Sequence, residues 1–140
     1  MEVEKMNRGP PTLEDIEEDW ALVTEGLMDA VRAIYRAGRA RHWWQRKARR
    51  MAVLDASRVV REAMGVVASR QVSAPSVGHG GSDHYTEGRR YDPIAAIDAW
   101  GLDFHLGNAL KYVARAGRKD DTIQDLRKAA FYLDHVASRP

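Results

Sequence analysis

The chain has 140 residues, 44% of them hydrophobic and 30% charged, with a formal net charge of +2. That is enough for one ordinary domain, or a small domain with an appended arm. No run of about 18 apolar residues occurs, so no membrane-spanning helix is expected. Cysteine is absent, which excludes disulfides and thiolate metal sites and leaves the cytoplasm as the default location. The opening MEVEKMNRGPP has no apolar stretch of the kind a signal peptide needs.

Residues 1–11, with Gly9, Pro10 and Pro11, read as a flexible tail. Thr12 and Asp15 form a capping-box signature for a helix start. From there Leu13, Ile16, Trp20, Val23, Leu27, Val31 and Ile34 recur every three or four positions. This is the stripe of one long helix, close to a heptad seam, which Gly38 ends or bends. A second long helix is predicted from near Arg41 to Ser69. Its stripe runs through Trp44, Ala48 and Met51, then Val53, Ala56, Val60, Ala63 and Val67. Neither stripe can stay in water, so residues 12–70 are expected to fold as an αα-hairpin. Trp44, on the packing side, is expected to plug a core or an interface. The stripes are too long for a module of this size to cover alone, which points to a homo-oligomer.

Residues 71–83, QVSAPSVGHGGSD, have the Gly, Ser and Pro content of a linker. Beyond it, residues 84–140 read as a small helical module. Asp92 is an N-cap followed by Pro93 at the first helical position, and the helix IAAIDAW stops at Gly101. Asp103 can cap the helix FHLGNALKYVARA, which ends at Gly117, and Thr122 with Asp125 makes a capping box for IQDLRKAAFYLDHVA. Leu106, Leu110 and Val113 line one helix; Ile123, Leu126, Ala130 and Leu133 line the other. Nothing reads as a strand. The expected fold class is all-α: a long N-terminal αα-hairpin joined by a flexible linker to a small C-terminal helical module.

Charge is unevenly distributed. Residues 1–31 hold nine acids and two basic residues, whereas residues 32–50 hold eight Arg or Lys and no acid. Such a block either attracts phosphate, nucleic acid or an acidic partner, or neutralises the acidic helix beside it. Within it, tryptophans interleave with Arg41, Arg46, Lys47, Arg49 and Arg50, the pattern in which aromatics stack on bases while cations track phosphates. The acids Glu14, Glu17, Glu18 and Asp19 resemble the carboxylate helix of MazG-type all-α nucleotide pyrophosphohydrolases. That chemistry needs a second acidic pair, and the next helix offers only Asp55 and Glu62, seven positions apart.

In the C-terminal module, His105, Asn108, Lys111 and Arg115 share one helix face, with Tyr112 beside them. Lys111 and Arg115 are a like-charged pair four apart, costing roughly 0.2–0.5 kcal/mol unless an anion relieves it. Arg118 and Lys119 follow, and the last helix adds Asp125, Arg127, Lys128 and Tyr132. Guanidinium, ammonium and amide groups together suit phosphate oxygens. Asp125 suits a magnesium ion that takes the rest of its shell from water and substrate phosphates, and His84 and Tyr85 suit stacking on a base or sugar. The competing explanation is structural: cations near a helix C-terminus are favoured by its dipole, and Asp125 can simply cap. No P-loop, G-x-S-x-G or H-E-x-x-H motif occurs, and His79 with His84 in a glycine-rich segment is a weak metal signal.

The run from His84 to His135 resembles the SaV-like, nucleotide-kinase-like domain of tailed bacteriophages. The resemblance is carried by His84-Tyr85, Asp92-Pro93-Ile94, Gly101-Leu102, Phe104 and Leu106-Gly107-Asn108. It continues through Lys111-Tyr112, Arg115-Ala116-Gly117, Lys119, Asp125-Leu126, Lys128-Ala129 and Tyr132-Leu133. It covers well under half of the chain. It implies a phage-derived protein of the host cytoplasm that binds nucleoside mono- and triphosphates, and a deoxynucleoside monophosphate kinase that needs no P-loop and uses magnesium. On that resemblance Lys111, Arg115, Asp125 and Lys128 are the expected catalytic positions, and His84, Tyr85, Asn108 and Lys119 the substrate-binding ones. The alternative is a non-enzymatic protein that sequesters nucleotides, or grips nucleic acid or a host protein through the basic hairpin.

Overall fold

A computed structural model describes residues 9–20, 26–70, 92–116 and 121–139, and all regular structure among them is helical. The elements are α1 (Leu13–Trp20), α2 (Met28–Arg39), one 3-10 turn (Trp43–Gln45), α3 (Arg46–Arg70), α4 (Pro93–Trp100), α5 (Phe104–Arg115) and α6 (Thr122–Ala137). The all-α class expected from the sequence holds. No helix among the described residues is long and apolar enough to cross a membrane. The linker 71–83, with His79, and His84 and Tyr85 lie outside the described residues, as do Arg118 and Lys119.

The first predicted helix is two helices. In one continuous helix Glu17 and Arg32 would stand about 22 Å apart at ~1.5 Å per residue, yet Arg32 Nε meets Glu17 Oε1 at 2.5 Å. The chain must therefore double back between them, and Gly26, with φ at +86°, takes a left-handed conformation that a side chain disfavours. Ile16, Val31 and Ile34 are fully buried, so the stripe is real although the helix is broken. Gly38 does not end α2; it lies inside it, where a Cβ would sit 2.5 Å from the Leu102 side chain. The Thr12–Asp15 capping box forms as read, with Thr12 N donating to Asp15 (2.9 Å) and Asp15 N to Thr12 Oγ1 (3.2 Å). The end of the N-terminal tail is fixed, because Trp100 Nε1 donates to the Pro11 carbonyl at 3.3 Å.

α2 and α3 make the expected hairpin, but the packing face of α3 is Ala52, Val53, Ala56, Val59 and Val60. Trp44 and Met51, expected on that face, are 63% and 54% exposed, and Ala48 is exposed too. Met51 and Ala48 stand two and five positions before Val53, spacings that turn them off the face of Val53, Ala56 and Val60, and Trp44, four positions before Ala48, is outside with them.

α6 lies against both α3 and α5, so the hairpin and the C-terminal helices share one core. Leu126 and Leu133 on α6 are fully buried, each contributing about 1.5–3 kcal/mol of apolar burial. The α3–α6 seam carries a polar lock. Buried Ser57 donates to Asp134 Oδ1 at 2.8 Å, and Arg61 donates to both Asp134 oxygens. Asp92 and Asp103 cap α4 and α5 as read, accepting from Ala95 N (2.7 Å) and Leu106 N (2.9 Å). α6 differs: Asp121, one residue before Thr122, accepts from Gln124 N at 2.9 Å and is the N-cap. Asp outranks Thr there, so the Thr122–Asp125 box does not form.

α4 ends in a Schellman motif. Gly101, at φ +60°, donates to the Asp98 carbonyl, and Leu102 donates to that of Ile97. A Cβ on Gly101 would also strike Arg41 Nη2, which is donating to the Trp100 carbonyl at 3.0 Å. Gly101→Ala should therefore cost about 1–2 kcal/mol of unfolding free energy in a urea titration. The Arg61 guanidinium holds the Asp134 carboxyl below its ordinary range, against burial that pushes it up, with help from Ser57. A depressed carboxyl stabilises the fold above its unfolded pKa, near ~4, and that contribution disappears as pH falls through the folded value. Acid unfolding should be steeper for the wild type than for Asp134→Asn below about pH 4, as read by far-ultraviolet dichroism.

Candidate functional site on the C-terminal helices

Helical spacing places Lys128, Tyr132, His135 and Arg139 in one row along the outside of α6. His105, Lys111 and Tyr112 face this row from α5. Tyr112 stacks on Tyr132 with centroids 6.1 Å apart and planes within 9°. Both ammonium groups come over the Tyr112 ring, Lys111 at 5.7 Å and Lys128 at 5.3 Å. Phe104 and Phe131, 70% and 66% exposed, meet Tyr132 edge-on. Cations gathered over stacked aromatics form a surface that accepts an anionic group at one edge and a planar ring beside it.

At the far end of the row, Arg139 Nη2 donates to His105 Nε2 at 2.7 Å and reaches His135 Nε2 at 3.3 Å. An accepting Nε2 puts the His105 proton on Nδ1, which is buried and has no hydrogen-bond partner. Burial, then Arg139 and His135, push the His105 imidazole down despite the pull of Asp103.

The other expected site residues divide. Asn108 donates its amide to the Phe104 carbonyl at 2.8 Å and, with Lys111, Phe104 and Ile97, lines a groove of about 200 Å³ between α4 and α5. Asp125 and Arg115 leave the exposed row. Asp125 is 4% exposed, and its Oδ1 stands 3.6 Å from Arg115 Nε. This pair is a buried link between α5 and α6, which replaces the capping explanation of Asp125. It also weakens the fit to magnesium. Arg115 already answers the one buried carboxylate, and no group of three His, Asp or Glu that could hold a metal exists among the described residues. The MazG-type reading fares no better: Glu17 is committed to Arg32, and Asp55 and Glu62 to Arg58.

The basic block behaves in two ways. Arg41 donates to the Gly38 and Trp100 carbonyls, and Arg49 to Asp103 and the Ala37 carbonyl, so both brace the turn between helices. Burial pushes the Asp103 carboxyl up, but Leu106 N and Arg49 together hold it below its ordinary range. Arg46, Lys47 and Arg50 pair with no acid among the described residues. With Arg49, Val136 and Arg139 they line a cavity of about 470 Å³. They stand in the first turns of α3, which contain no acid. At that end the helix dipole disfavours a cation by about 0.3–1 kcal/mol.

Sequence reasoning missed Phe104, Phe131, His135 and Arg139. The Lys128–Tyr132–His135–Arg139 spacing was readable, but only the packing of α5 on α6 turns it into one surface. Breaking a buried pair leaves an uncompensated charge, so Arg115→Ala should lose about 3 kcal/mol in urea unfolding. Lys128→Ala, on the surface, should stay within about 0.5 kcal/mol of the wild type.

Residues 80–134 match a family described as proteins of unknown function, DUF3310. The matched segment contains α4, α5 and most of α6, with Lys111, Tyr112, Lys128 and Tyr132. It excludes the basic block and Arg139. No curated protein and no solved structure matches the chain. The similarity to other proteins is thus to a family of unknown function, over the segment that carries the aromatic–cationic row.

Proposed function

We propose that the α5/α6 face binds a nucleoside phosphate and that the protein is a deoxynucleoside monophosphate kinase working without a P-loop. The observation that supports this reading best is the convergence of Lys111 and Lys128, from separate helices, over the Tyr112–Tyr132 stack. Ammonium groups from two helices brought over one ring offer phosphate oxygens a pair of point charges. The exposed rings beside them offer a base its stacking partner. The resemblance to phage nucleotide-kinase-like domains spans the same helices.

Phosphoryl transfer asks the protein for positioning and charge neutralisation more than for covalent chemistry. An oxygen of the bound monophosphate attacks the γ-phosphorus of a nucleoside triphosphate, and the bond from that phosphorus to the β–γ bridging oxygen breaks. A deoxynucleoside diphosphate and a nucleoside diphosphate leave. Lys111 and Lys128 neutralise the phosphates, Asn108 orients the acceptor, and Arg115 with Asp125 holds α5 on α6 so that the lysines meet. The 200 Å³ groove is smaller than the roughly 300–1,000 Å³ of pockets that enclose a whole ligand, so it takes one part of the nucleotide. Magnesium belongs to this proposal only as an ion carried in by the triphosphate. A homo-oligomer would be built on exposed apolar residues such as Trp43, Trp44 and Met51.

Calorimetry with magnesium against dTMP, dGMP and ATP, followed by a diphosphate product assay, tests the reading. Binding of a monophosphate with turnover is expected, and Lys128→Ala or Tyr132→Ala should weaken it about tenfold, as removal of one ionic or stacking interaction does. Binding without turnover would make the protein a nucleotide-sequestering binder. Equal affinity in both variants would remove the site from this face.

A further inference from the structure

The cavity at the start of α3 lies outside the nucleotide reading. Arg139, on its rim, lies beyond the end of α6, of which the nine positions from Lys128 to Ala137 already span about 13 Å, so one phosphate group cannot use both. Its lining is five cations and one valine: Arg46, Lys47, Arg49 and Arg50 from α3, with Val136 and Arg139 from the end of α6. Among the described residues, only Arg49 of these is answered by a carboxylate, that of Asp103. Arg139 binds two imidazoles, which bring no negative charge.

Ordinary stability does not account for this arrangement. Cations at a helix C-terminus are favoured by the dipole, but these occupy the N-terminal turns, beside one another. No acid of α1 or α2 among the described residues pairs with Arg46, Lys47 or Arg50, and Glu17 and Asp29 meet Arg32 instead. Directly before Arg46, the 3-10 turn holds out two large aromatic rings, Trp43 and Trp44, 74% and 63% exposed. Trp44 is stacked on His42 at 4.2 Å with planes 3° apart, and Trp43 meets it edge-on at 5.9 Å. Rings held in that way form a fixed platform next to an unanswered positive cavity. Stacking surfaces beside phosphate-binding cations are what unpaired bases require. A duplex keeps its base faces covered and would leave the tryptophans unused.

We propose that this corner of the molecule, the Trp43–Trp44 platform with the Arg46, Lys47, Arg50 and Arg139 cavity, binds single-stranded nucleic acid. Phosphates of the strand lie over the cavity and bases stack on the tryptophans. The site is independent of the nucleotide site and does not rest on the kinase reading.

The test uses the full chain and fluorescence anisotropy with labelled oligo-dT, oligo-U and a DNA duplex across a salt series. Single strands should bind more tightly than duplex, and the dT and U arms decide whether the strand is DNA or RNA. The triple variant R46E/K47E/R50E should bind at least tenfold more weakly and flatten the salt slope by about 2, at ~0.7 for each phosphate no longer neutralised. It should also melt no lower than the wild type, because it places acids where the dipole favours them. Trp44→Ala should weaken single-strand binding about tenfold and leave duplex binding unchanged. Lys128→Ala should bind oligonucleotide normally, which keeps failure here distinct from failure of the nucleotide site. Unchanged binding by the folded triple variant overturns the proposal. So does a tryptophan pair whose removal changes only the oligomeric state in light scattering, which would make it an interface between copies.

Discussion

Burial of the α6 apolar stripe between α3 and α5 is the constraint on which the other features depend. Leu126, Ala129, Ala130, Leu133, Val136 and Ala137 are all buried on one helix, and the five other helices contribute to the core they join. Alanines at three of these positions let the neighbouring backbones come close, while the leucines supply the apolar area. The Ser57–Asp134–Arg61 lock then fixes the register of α6 on α3. Sliding α6 by one turn, about 5.4 Å, would leave buried Ser57 without its acceptor, which costs far more than an exposed ion pair is worth.

That register determines what appears on the outside of α6. Lys128 and Tyr132 meet Lys111 and Tyr112 from α5, and Arg139 is carried across to the first turns of α3. Two surfaces of different character result. The first is aromatic with two lysines above it and lies within the segment similar to a family of unknown function. The second is a cation-lined cavity assembled from both ends of the chain. Between them stand the two imidazoles of His105 and His135, joined to Arg139.

The arginines illustrate how far stability alone explains a charged side chain. Arg32, Arg49, Arg61 and Arg115 each meet a carboxylate on another helix or its cap, and Arg41 satisfies two carbonyls at helix ends. These are braces for an all-helical fold whose terminal backbone groups need partners. Arg46, Lys47 and Arg50 have no such role and stand at the end of α3 where the dipole works against them.

By itself the sequence determined the all-α class, the caps at Thr12, Asp92 and Asp103, the stop at Gly101 and the hairpin of α2 on α3. Each of these depends on groups a few residues apart: a side chain and the amide three positions on, a left-handed glycine, a repeat of three and four. Tertiary structure alone decided the rest. The first predicted helix is two helices placed so that Glu17 meets Arg32, and Asp125 turns from cap to buried partner because Arg115 reaches it from α5. Trp44 stands outside with Ala48 and Met51 because Val53, Ala56 and Val60 take the face toward the core, and Arg139 joins a cavity begun nearly a hundred residues earlier. Local hydrogen bonds and periodicity are written within one turn of the chain. Contacts between distant helices depend on how whole surfaces fit, and no single stretch of sequence records that.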